Sequence, residues 1–143
     1  ALSSAASDVY KRQIVRLTSV SLRVTPPPSK SKECAAAKRY IDENYNEAIS
    51  LDKLAEIAHV NKYYLSHSFK KEYGSSPIDY MLKRRITEAK ALLSSTDYSL
   101  IQIAEQLGFG SPAYFSKCFR KVEGISSSGY RCALQQKAAK RSE

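Results

Sequence analysis

An internal repeat constrains the fold of this chain more than any other feature of its sequence. Four residues match four others at an offset of 49: Ser50, Leu51, Ala55 and Glu56 match Ser99, Leu100, Ala104 and Glu105. Seven more match at an offset of 50: Tyr64, Ser66, Phe69, Lys71, Gly74, Ser76 and Tyr80 match Tyr114, Ser116, Phe119, Lys121, Gly124, Ser126 and Tyr130. The chain therefore contains one supersecondary unit twice, and the second copy is one residue longer in its turn.

The apolar residues from Glu33 onward recur with the period of an α-helix. A first helix is predicted from the spacing of Ala37, Tyr40, Ile41, Tyr45 and Ala48. Later helices are predicted to begin after the N-caps Ser50, Asn61, Ser76, Ser99 and Ser111, and to end at Gly74, Gly108 and Gly124. The longest begins at Pro77 and has an apolar stripe of Ile78, Leu82, Ile86, Ala89 and Leu93.

Each copy of the repeat is thus a short capped helix, a short turn and a second, basic helix, which is the organisation of a helix-turn-helix unit. The sequence predicts an all-α fold of about seven helices. Two helix-turn-helix subdomains, at about 34–75 and 97–132, are joined by a linker helix at about 77–95. Residues 1–33 are expected to be a disordered or residual upstream segment ending in the proline-rich linker 25–32, and 133–143 a basic C-terminal tail.

Positive charge is concentrated in two segments of the predicted domain. Lys/Arg outnumber Asp/Glu by 7 to 3 in residues 62–90 and by 4 to 1 in 111–131. The other two segments are acidic, with 3 Lys/Arg against 5 Asp/Glu in 34–61 and none against 2 in 91–110. This polarity predicts two surfaces that face a polyanion, although solvated faces with chance clustering give the same counts.

The second helix of each unit directs Leu65 and Phe69, or Phe115, Cys118, Phe119 and Val122, towards the core. Its other face carries short polar, aromatic and basic side chains near a helix N-terminus, the mixture that reads base edges and binds phosphate. We predict base contacts from Lys62, Tyr63, Ser66, His67, Ala113, Tyr114 and Lys117. We predict contacts to the DNA backbone from Lys70, Lys71, Arg84, Ser111, Ser116, Arg120 and Lys121. Tyr64 is expected to pack instead, and Arg85 to contact either DNA or the neighbouring helices.

Residues 34–132 resemble the DNA-binding domain of the AraC/XylS family of bacterial transcription regulators. The second unit carries the resemblance through Gly108-Phe109, Tyr114-Phe115-Ser116-Lys117-Cys118-Phe119-Arg120-Lys121, Gly124-Ile125-Ser126 and Tyr130-Arg131. The first carries it through Leu54-Ala55, Leu65-Ser66, Phe69-Lys70-Lys71 and Gly74. The resemblance implies base contacts from Tyr63, Ser66 and His67 in the first unit and from Ala113, Tyr114 and Lys117 in the second.

The chain departs from the family pattern at three places. Ser127 stands where the family usually has proline at the start of the last helix. Pro112 and Ala113 replace a polar pair, which leaves Lys117 as the main reader of the second unit. His67 replaces a frequent arginine, which weakens bidentate recognition of guanine and makes binding depend on pH.

The resemblance implies a cytoplasmic, nucleoid-associated regulator, an activator, that binds double-stranded DNA and contacts RNA polymerase. Family members usually add a sensing domain, so the chain is either a stand-alone regulator or, as we favour, the DNA-binding half of a longer one whose effector binds elsewhere. The competing interpretation is a helical protein-interaction module without specific DNA binding.

The residues give little support to an enzyme. His59 and His67 follow no metal-ligand pattern, no nucleotide-binding loop or catalytic pair is present, and no cofactor or metal site is expected. Alkyl transfer from damaged DNA to Cys34 is the remaining enzymatic alternative, but the zinc-bound cysteine cluster that activates such a thiolate is missing. The three cysteines lack C-x-x-C spacing, Cys118 is expected in the core, and no apolar run approaches a membrane span.

Overall fold

The computed structural model describes residues 31–142, which fold into seven α-helices without a strand. The helices are α1 Lys32–Asn44, α2 Leu51–Ala58, α3 Lys62–Tyr73, α4 Pro77–Ser95, α5 Leu100–Gln106, α6 Pro112–Glu123 and α7 Ser127–Arg141. The α2–α3 pair forms the first helix-turn-helix unit, the α5–α6 pair forms the second, and α4 connects them. The predicted all-α architecture is confirmed. The predictions for residues 1–30 lie outside the described residues.

Every helix begins after a serine or asparagine whose side chain accepts a backbone N–H three residues ahead. These N-caps are Ser31, Ser50, Asn61, Ser76, Ser99, Ser111 and Ser126. Ser99 also forms a capping box, because the Gln102 side chain accepts the Ser99 N–H at 2.8 Å. Each cap stabilises its helix by about 1 kcal/mol, which is why the helix starts are readable from the sequence.

The turn inside each unit passes through the left-handed region of the backbone. His59 has φ 58° in the first unit, and its repeat partner Gly108 has φ 84° in the second. Glycine adopts this conformation freely, whereas a side chain there costs roughly 1 kcal/mol. The two turns therefore share a conformation but differ in its energetic cost.

Two apolar cores share α4. The first contains Cys34, Ala37, Ile41, Ile49, Leu54, Ala55, Ala58, Leu65, Phe69 and Met81. The second contains Ile86, Ala89, Leu93, Ile103, Ala104, Leu107, Phe109, Phe115, Cys118 and Phe119. The change from one core to the other falls at Arg85, which is itself buried. The expected core position of Cys118 is confirmed.

Several side chains lie elsewhere than the periodicity predicts. Val122 was expected to face inward but is 37% exposed. The first helix ends at Asn44 and leaves Ala48 exposed outside it. The reason is local, since the Asn44 amide donates to the Tyr40 carbonyl and the Glu47 N–H folds back onto the Asn44 carbonyl.

The linker helix and the last helix also differ from the prediction. On α4, Met81 is fully buried, whereas Ile78 and Leu82 of the predicted stripe are half-buried. The last helix starts at Ser127 without a proline, because Ser126 caps it, and it continues through the predicted tail to Arg141. Within residues 31–142 no helix is long and apolar enough to cross a membrane.

Candidate nucleic-acid interface

The two basic helices are positioned by the same local devices. Asn61 begins α3 by accepting the Tyr64 N–H, and Ser111 begins α6 by accepting the Tyr114 N–H. Both helices end at a glycine with φ 83°, and both carry two cations in the last turn. Each helix therefore presents its N-terminal part and one exposed stripe in a closely similar way.

The exposed stripe of α3 is formed by Tyr63, His67 and Lys70, which are spaced as one helical face. Tyr63 is 76% exposed and lies beside the Lys62 ammonium, 5.7 Å from the ring centroid. Ser66 is half-buried at the edge of this stripe. The structure thus brings the predicted base-reading side chains of the first unit to one surface.

Lys62 differs from the other predicted contacts because it already has a partner. Its ammonium lies 3.4 Å from a carboxylate oxygen of Asp52 at the start of α2. Both side chains are well exposed, so water and salt weaken the pair. A phosphate or a base could displace Asp52 at little cost.

The exposed stripe of α6 repeats that of α3 at the offset of 50. Ala113, Lys117 and Arg120 occupy the places of Tyr63, His67 and Lys70, and all three are exposed. The remaining predicted contacts of this helix are exposed as well: Ser111, Ser116 and Lys121. Along this stripe the second unit therefore has a smaller first side chain and one more permanent cation than the first.

The two equivalent tyrosines have similar exposure, although the sequence predicts different roles for them. Tyr64 was expected to pack but is 47% exposed. Tyr114 was predicted to contact a base, yet its ring lies edge-on to Phe109 with centroids 5.9 Å apart, and 44% of the side chain is exposed. A hydrogen bond to Cys118, then burial, raises the pKa of the Tyr114 hydroxyl. Tyr114 is thus anchored at one edge and still reachable at the other.

The three cations of α4 have separate environments. Arg84, a predicted backbone contact, lies 3.1 Å from Glu88 and 3.7 Å from Asp42, and its guanidinium is 4.6 Å from the centroid of the Tyr45 ring. Arg85 is buried, as the packing alternative predicted. Lys83 alone of the three is exposed.

Lys83 shares a groove of about 500 Å³ with the second recognition helix. The groove lies between α4 and α6 and is lined by Asp79, Leu82, Lys83, Tyr114, Lys117, Cys118, Lys121 and Val122. Arg84 stays a predicted backbone contact, but one of its ion pairs is readable from the sequence. Glu88 stands four residues after Arg84, the spacing at which opposite charges pair on a helix.

The environment of Cys34 does not suit alkyl transfer. Its side chain is fully buried in the first core, and burial raises the pKa of its thiol despite a hydrogen bond from Ser31. Such a thiol is a poor nucleophile. Among residues 31–142 no group of three or more potential ligands is arranged to hold a metal ion.

Comparison with known proteins gives consistent matches over this region. The family model of the helix-turn-helix domain matches residues 54–133. The uncharacterized HTH-type transcriptional regulator YisR of Bacillus subtilis is 38% identical over 111 residues, which are 78% of this chain and 39% of that protein. The chain therefore spans about two fifths of the length of this relative.

Two solved structures extend the comparison to the fold. An AraC-type DNA-binding regulator from Chromobacterium violaceum aligns with a TM-score of 0.65 and 30% identity, covering 73% of this chain and 93% of that one. The DNA-binding domain of AdpA, in complex with a target DNA, aligns with a TM-score of 0.70 and 28% identity, covering 75% of this chain and 96% of that one.

Proposed function

The chain belongs to the AraC-type helix-turn-helix family, and from that premise we propose that it regulates transcription by binding a specific double-stranded DNA sequence. The observation that supports this most is the pair of matching exposed stripes on α3 and α6. Each begins near a helix N-terminus, where backbone N–H groups favour an anion, and each ends in two cations. A protein-interaction module has no need of two basic reading surfaces at corresponding positions.

In the proposed complex a single copy lies along one face of the duplex, and α3 and α6 enter successive major-groove segments. The connecting helix α4 has 19 residues, or about 28 Å at 1.5 Å per residue. Successive major grooves on one face of DNA are about 34 Å apart. The helix is therefore of suitable length to carry one recognition helix to each groove.

We propose that bases are read by the N-terminal and middle parts of the two stripes. Tyr63, Ser66 and His67 read one half of the site, and Lys117, assisted by Ala113 and Tyr114, reads the other. The backbone contacts come from Lys70, Lys71, Ser111, Ser116, Arg120 and Lys121. Lys83 supplies the contact from α4, because the ion pairs of Arg84 occupy that side chain within the protein.

Selection of bound duplexes from a random pool, followed by footprinting, tests the proposal. We expect one preferred sequence, with protection of two major-groove segments about one turn apart on one face. Diffuse protection without a preferred site would favour the protein-interaction module instead.

A matched pair of variants on α4 tests the backbone contacts within the same experiment. Lys83→Ala should reduce the salt dependence of binding by about one phosphate contact. Arg84→Ala should lower the thermal midpoint of unfolding and leave the salt dependence unchanged. A smaller salt dependence in Arg84→Ala and an unchanged one in Lys83→Ala would show that Arg84 makes the backbone contact.

We further propose that the regulator is an activator that contacts RNA polymerase through the outer face of α5. Ile101 on this helix is 61% exposed, Tyr98 just before the helix is 41% exposed, and Glu105 is exposed one turn after Ile101. Apolar side chains with an acidic neighbour suit a docking surface for a basic partner. None of the three belongs to the proposed DNA-contacting residues.

Separation of binding from activation tests this second proposal. A double variant, Ile101→Ala with Glu105→Ala, should bind the selected DNA as the wild type does but reduce transcription from a reporter promoter. Gln106→Ala, an exposed neighbour, is the matched control. Unchanged transcription in the double variant would contradict this assignment.

Binding to chromosomal DNA implies where the protein acts in the cell. A protein that regulates the chromosome of a bacterium works in the cytoplasm at the nucleoid, and co-localisation of a fluorescent fusion with DNA checks this. We also propose that the effector, if the regulator has one, binds a domain outside the described residues, which agrees with the greater length of YisR.

A further inference from the structure

Arg85 is a buried cation that joins the two helix-turn-helix units. Only 4% of its surface is exposed. Its guanidinium donates to the carbonyls of Tyr45 at 2.5 Å and Glu47 at 2.7 Å, in the connection that follows α1, and to the carbonyl of Gly108 at 3.2 Å, in the turn of the second unit. Because α1 packs on α2 and α3, it is counted with the first unit. Within residues 31–142 it has no carboxylate within ion-pair distance.

Helix dipoles explain why a lone cation is stable at this place. Neither α1 nor α5 has a basic residue in its last turn. The carbonyls of Tyr45 and Gly108 follow the C-terminal ends of α1 and α5, where the negative ends of the two dipoles lie. Burial lowers the pKa of Arg85, and its three carbonyl partners replace the water that the guanidinium loses. The Arg85 guanidinium therefore stabilises the C-terminal ends of both α1 and α5.

Two further contacts hold the units together at the same place. A Cβ added to Gly108 would stand 2.3 Å from the carbonyl oxygen of Asn46, so the backbones of the two units touch there. The Tyr45 ring, from the end of α1, packs against the second core rather than the first. The contact is thus tight enough to fix both the distance between the two units and the angle between them.

We propose that Arg85 is a positioning residue that sets the separation and relative rotation of α3 and α6, and thereby the number of base pairs between the two halves of the DNA site. This inference rests on the proposed function. One inserted base pair moves the second half-site by about 3.4 Å along the helix and rotates it by about 35°. A rigid pair of recognition helices cannot follow that displacement, whereas a loosened pair can.

Arg131 provides a control of the same chemistry in a different place. Its guanidinium donates to the carbonyls of Leu93, Thr96 and Tyr98, at the C-terminal end of α4. All of these partners lie in α4 or in the connection to α5, so Arg131 does not link the first unit to the second. Its loss should weaken the fold without changing how the units are spaced.

The test measures binding of the full chain to the selected site and to versions with one base pair inserted or removed between its halves. For the wild type we expect a loss of about tenfold or more, comparable to a mismatched base pair. In Arg85→Met the loss should shrink to about threefold or less, because the flexible units can adjust. Arg131→Met should retain the full wild-type penalty.

Variants that differ in severity keep the test decisive if Arg85→Met does not fold. Arg85→Lys keeps the charge but has fewer fixed donors, so it should relax the spacing preference partially. Gly108→Ala would place a Cβ 2.3 Å from the Asn46 carbonyl oxygen and 3.2 Å from the Arg85 guanidinium, so it disturbs the same junction from the other side and should relax the spacing preference too. Equal penalties in the wild type, Arg85→Lys and Gly108→Ala would overturn the inference. Absence of any preferred site in the wild type would instead contradict the proposed function itself.

Discussion

At the scale of single residues, the two exposed stripes have equivalent positions but different chemistry. Tyr63 is paired in the repeat with Ala113, and His67 with Lys117, at a constant offset of 50. An aromatic ring and an imidazole suit apolar and pH-dependent contacts, whereas an alanine and a lysine suit a thymine methyl and guanine acceptors. The two halves of the site should therefore differ in sequence, so the preferred DNA should be neither a palindrome nor a direct repeat.

Replacement of Lys117 by alanine should change specificity. Lys117 is the long cation in the middle of the α6 stripe, and its loss should cost about 1–3 kcal/mol on the best site and relax the preference at one or two base pairs. Lys121→Ala, one turn further on, should lower affinity evenly for all sequences. Quantitative binding to a panel of single-base-pair variants distinguishes the two effects, and an even loss in Lys117→Ala would exclude it as a base contact.

His67 should make DNA binding depend on pH. A protonated imidazole adds a positively charged donor facing DNA, so affinity should rise as the solution is made more acidic. His67→Gln keeps a polar side chain of similar reach and should flatten that rise. Fluorescence anisotropy at constant ionic strength checks both proteins. The same pH dependence in wild type and variant would mean that His67 is not a charged contact and that Tyr63 and Ser66 alone read bases in the first unit.

Ser127 should be replaceable by proline with a gain in stability. Ser126, before it, has φ −72° and ψ 156°, nearly the conformation of Ser76 before Pro77. The first position of a helix needs no N–H, and proline reduces the freedom of the unfolded chain, so Ser127→Pro should stabilise by roughly 0.4–1 kcal/mol. The thermal midpoint should rise by about 2–4 °C. Pro77→Ser is the reciprocal variant, and a lower midpoint for Ser127→Pro would refute this.

At the scale of helices, Asp42 connects α1 to α4 through charged hydrogen bonds. It accepts the Tyr80 hydroxyl at 2.7 Å and the Lys38 ammonium at 2.9 Å. Burial alone would raise the pKa of Asp42, but the hydrogen bonds from Tyr80 and Lys38 and the charges of Lys38 and Arg84 outweigh it and lower the pKa. The carboxylate therefore stabilises the fold only while it is ionised.

Asp42→Asn should reduce stability at neutral pH by about 1 kcal/mol, a modest value because a third of the side chain is exposed. A lowered pKa means that the stabilisation is present above the unfolded value of about 3.9 and is lost as the pH falls through the folded value. In urea unfolding, the wild type should have a larger free energy of unfolding than Asp42→Asn at pH 7 and pH 5, and this difference should decline at pH 3. Glu43→Gln, on the exposed side of α1, should show little difference at any of them.

The helices could be predicted because their signals are local. An N-cap and the N–H that it accepts are three residues apart, and a closing glycine is adjacent to the turn that it ends. The end of α1 was predicted wrongly because it depends on a competing hydrogen bond of the Asn44 side chain. The partners of Arg85 lie 23 to 40 residues away in the sequence, so only the folded chain shows which of three adjacent cations is buried.

At the scale of the whole molecule, the candidate site follows from sequence in its outline and not in its details. The positions that face outward on α3 and α6 follow from helical period and from the apolar residues opposite them. The distant partners of individual side chains do not. Arg84 contacts Asp42 and the Tyr45 ring, which lie about 40 residues before it in the chain, and no periodicity carries that information.

The basic flanks should add affinity without adding specificity. Lys137, Lys140 and Arg141 are exposed on the last turns of α7, and their replacement by glutamine should make the salt dependence shallower by up to about 2.7, or 0.9 per phosphate contact. Deletion of residues 1–30 should act in the same direction, provided that Ser31 is kept, because it caps α1 and donates to Glu72 at 2.9 Å. A changed preferred sequence would mean that the flanks read bases.

The sharing of α4 between two cores has a consequence for how the domain comes apart. Met81 belongs to one core and Ile86 to the other, so exposure of either core removes packing from half of the same helix. Local opening should therefore spread along α4, and amide hydrogens in both halves of this helix should exchange through one cooperative event. A protease that cleaves this opened form would therefore destroy the α3 and α6 units together. The cell would then not accumulate a fragment that binds half of the DNA site.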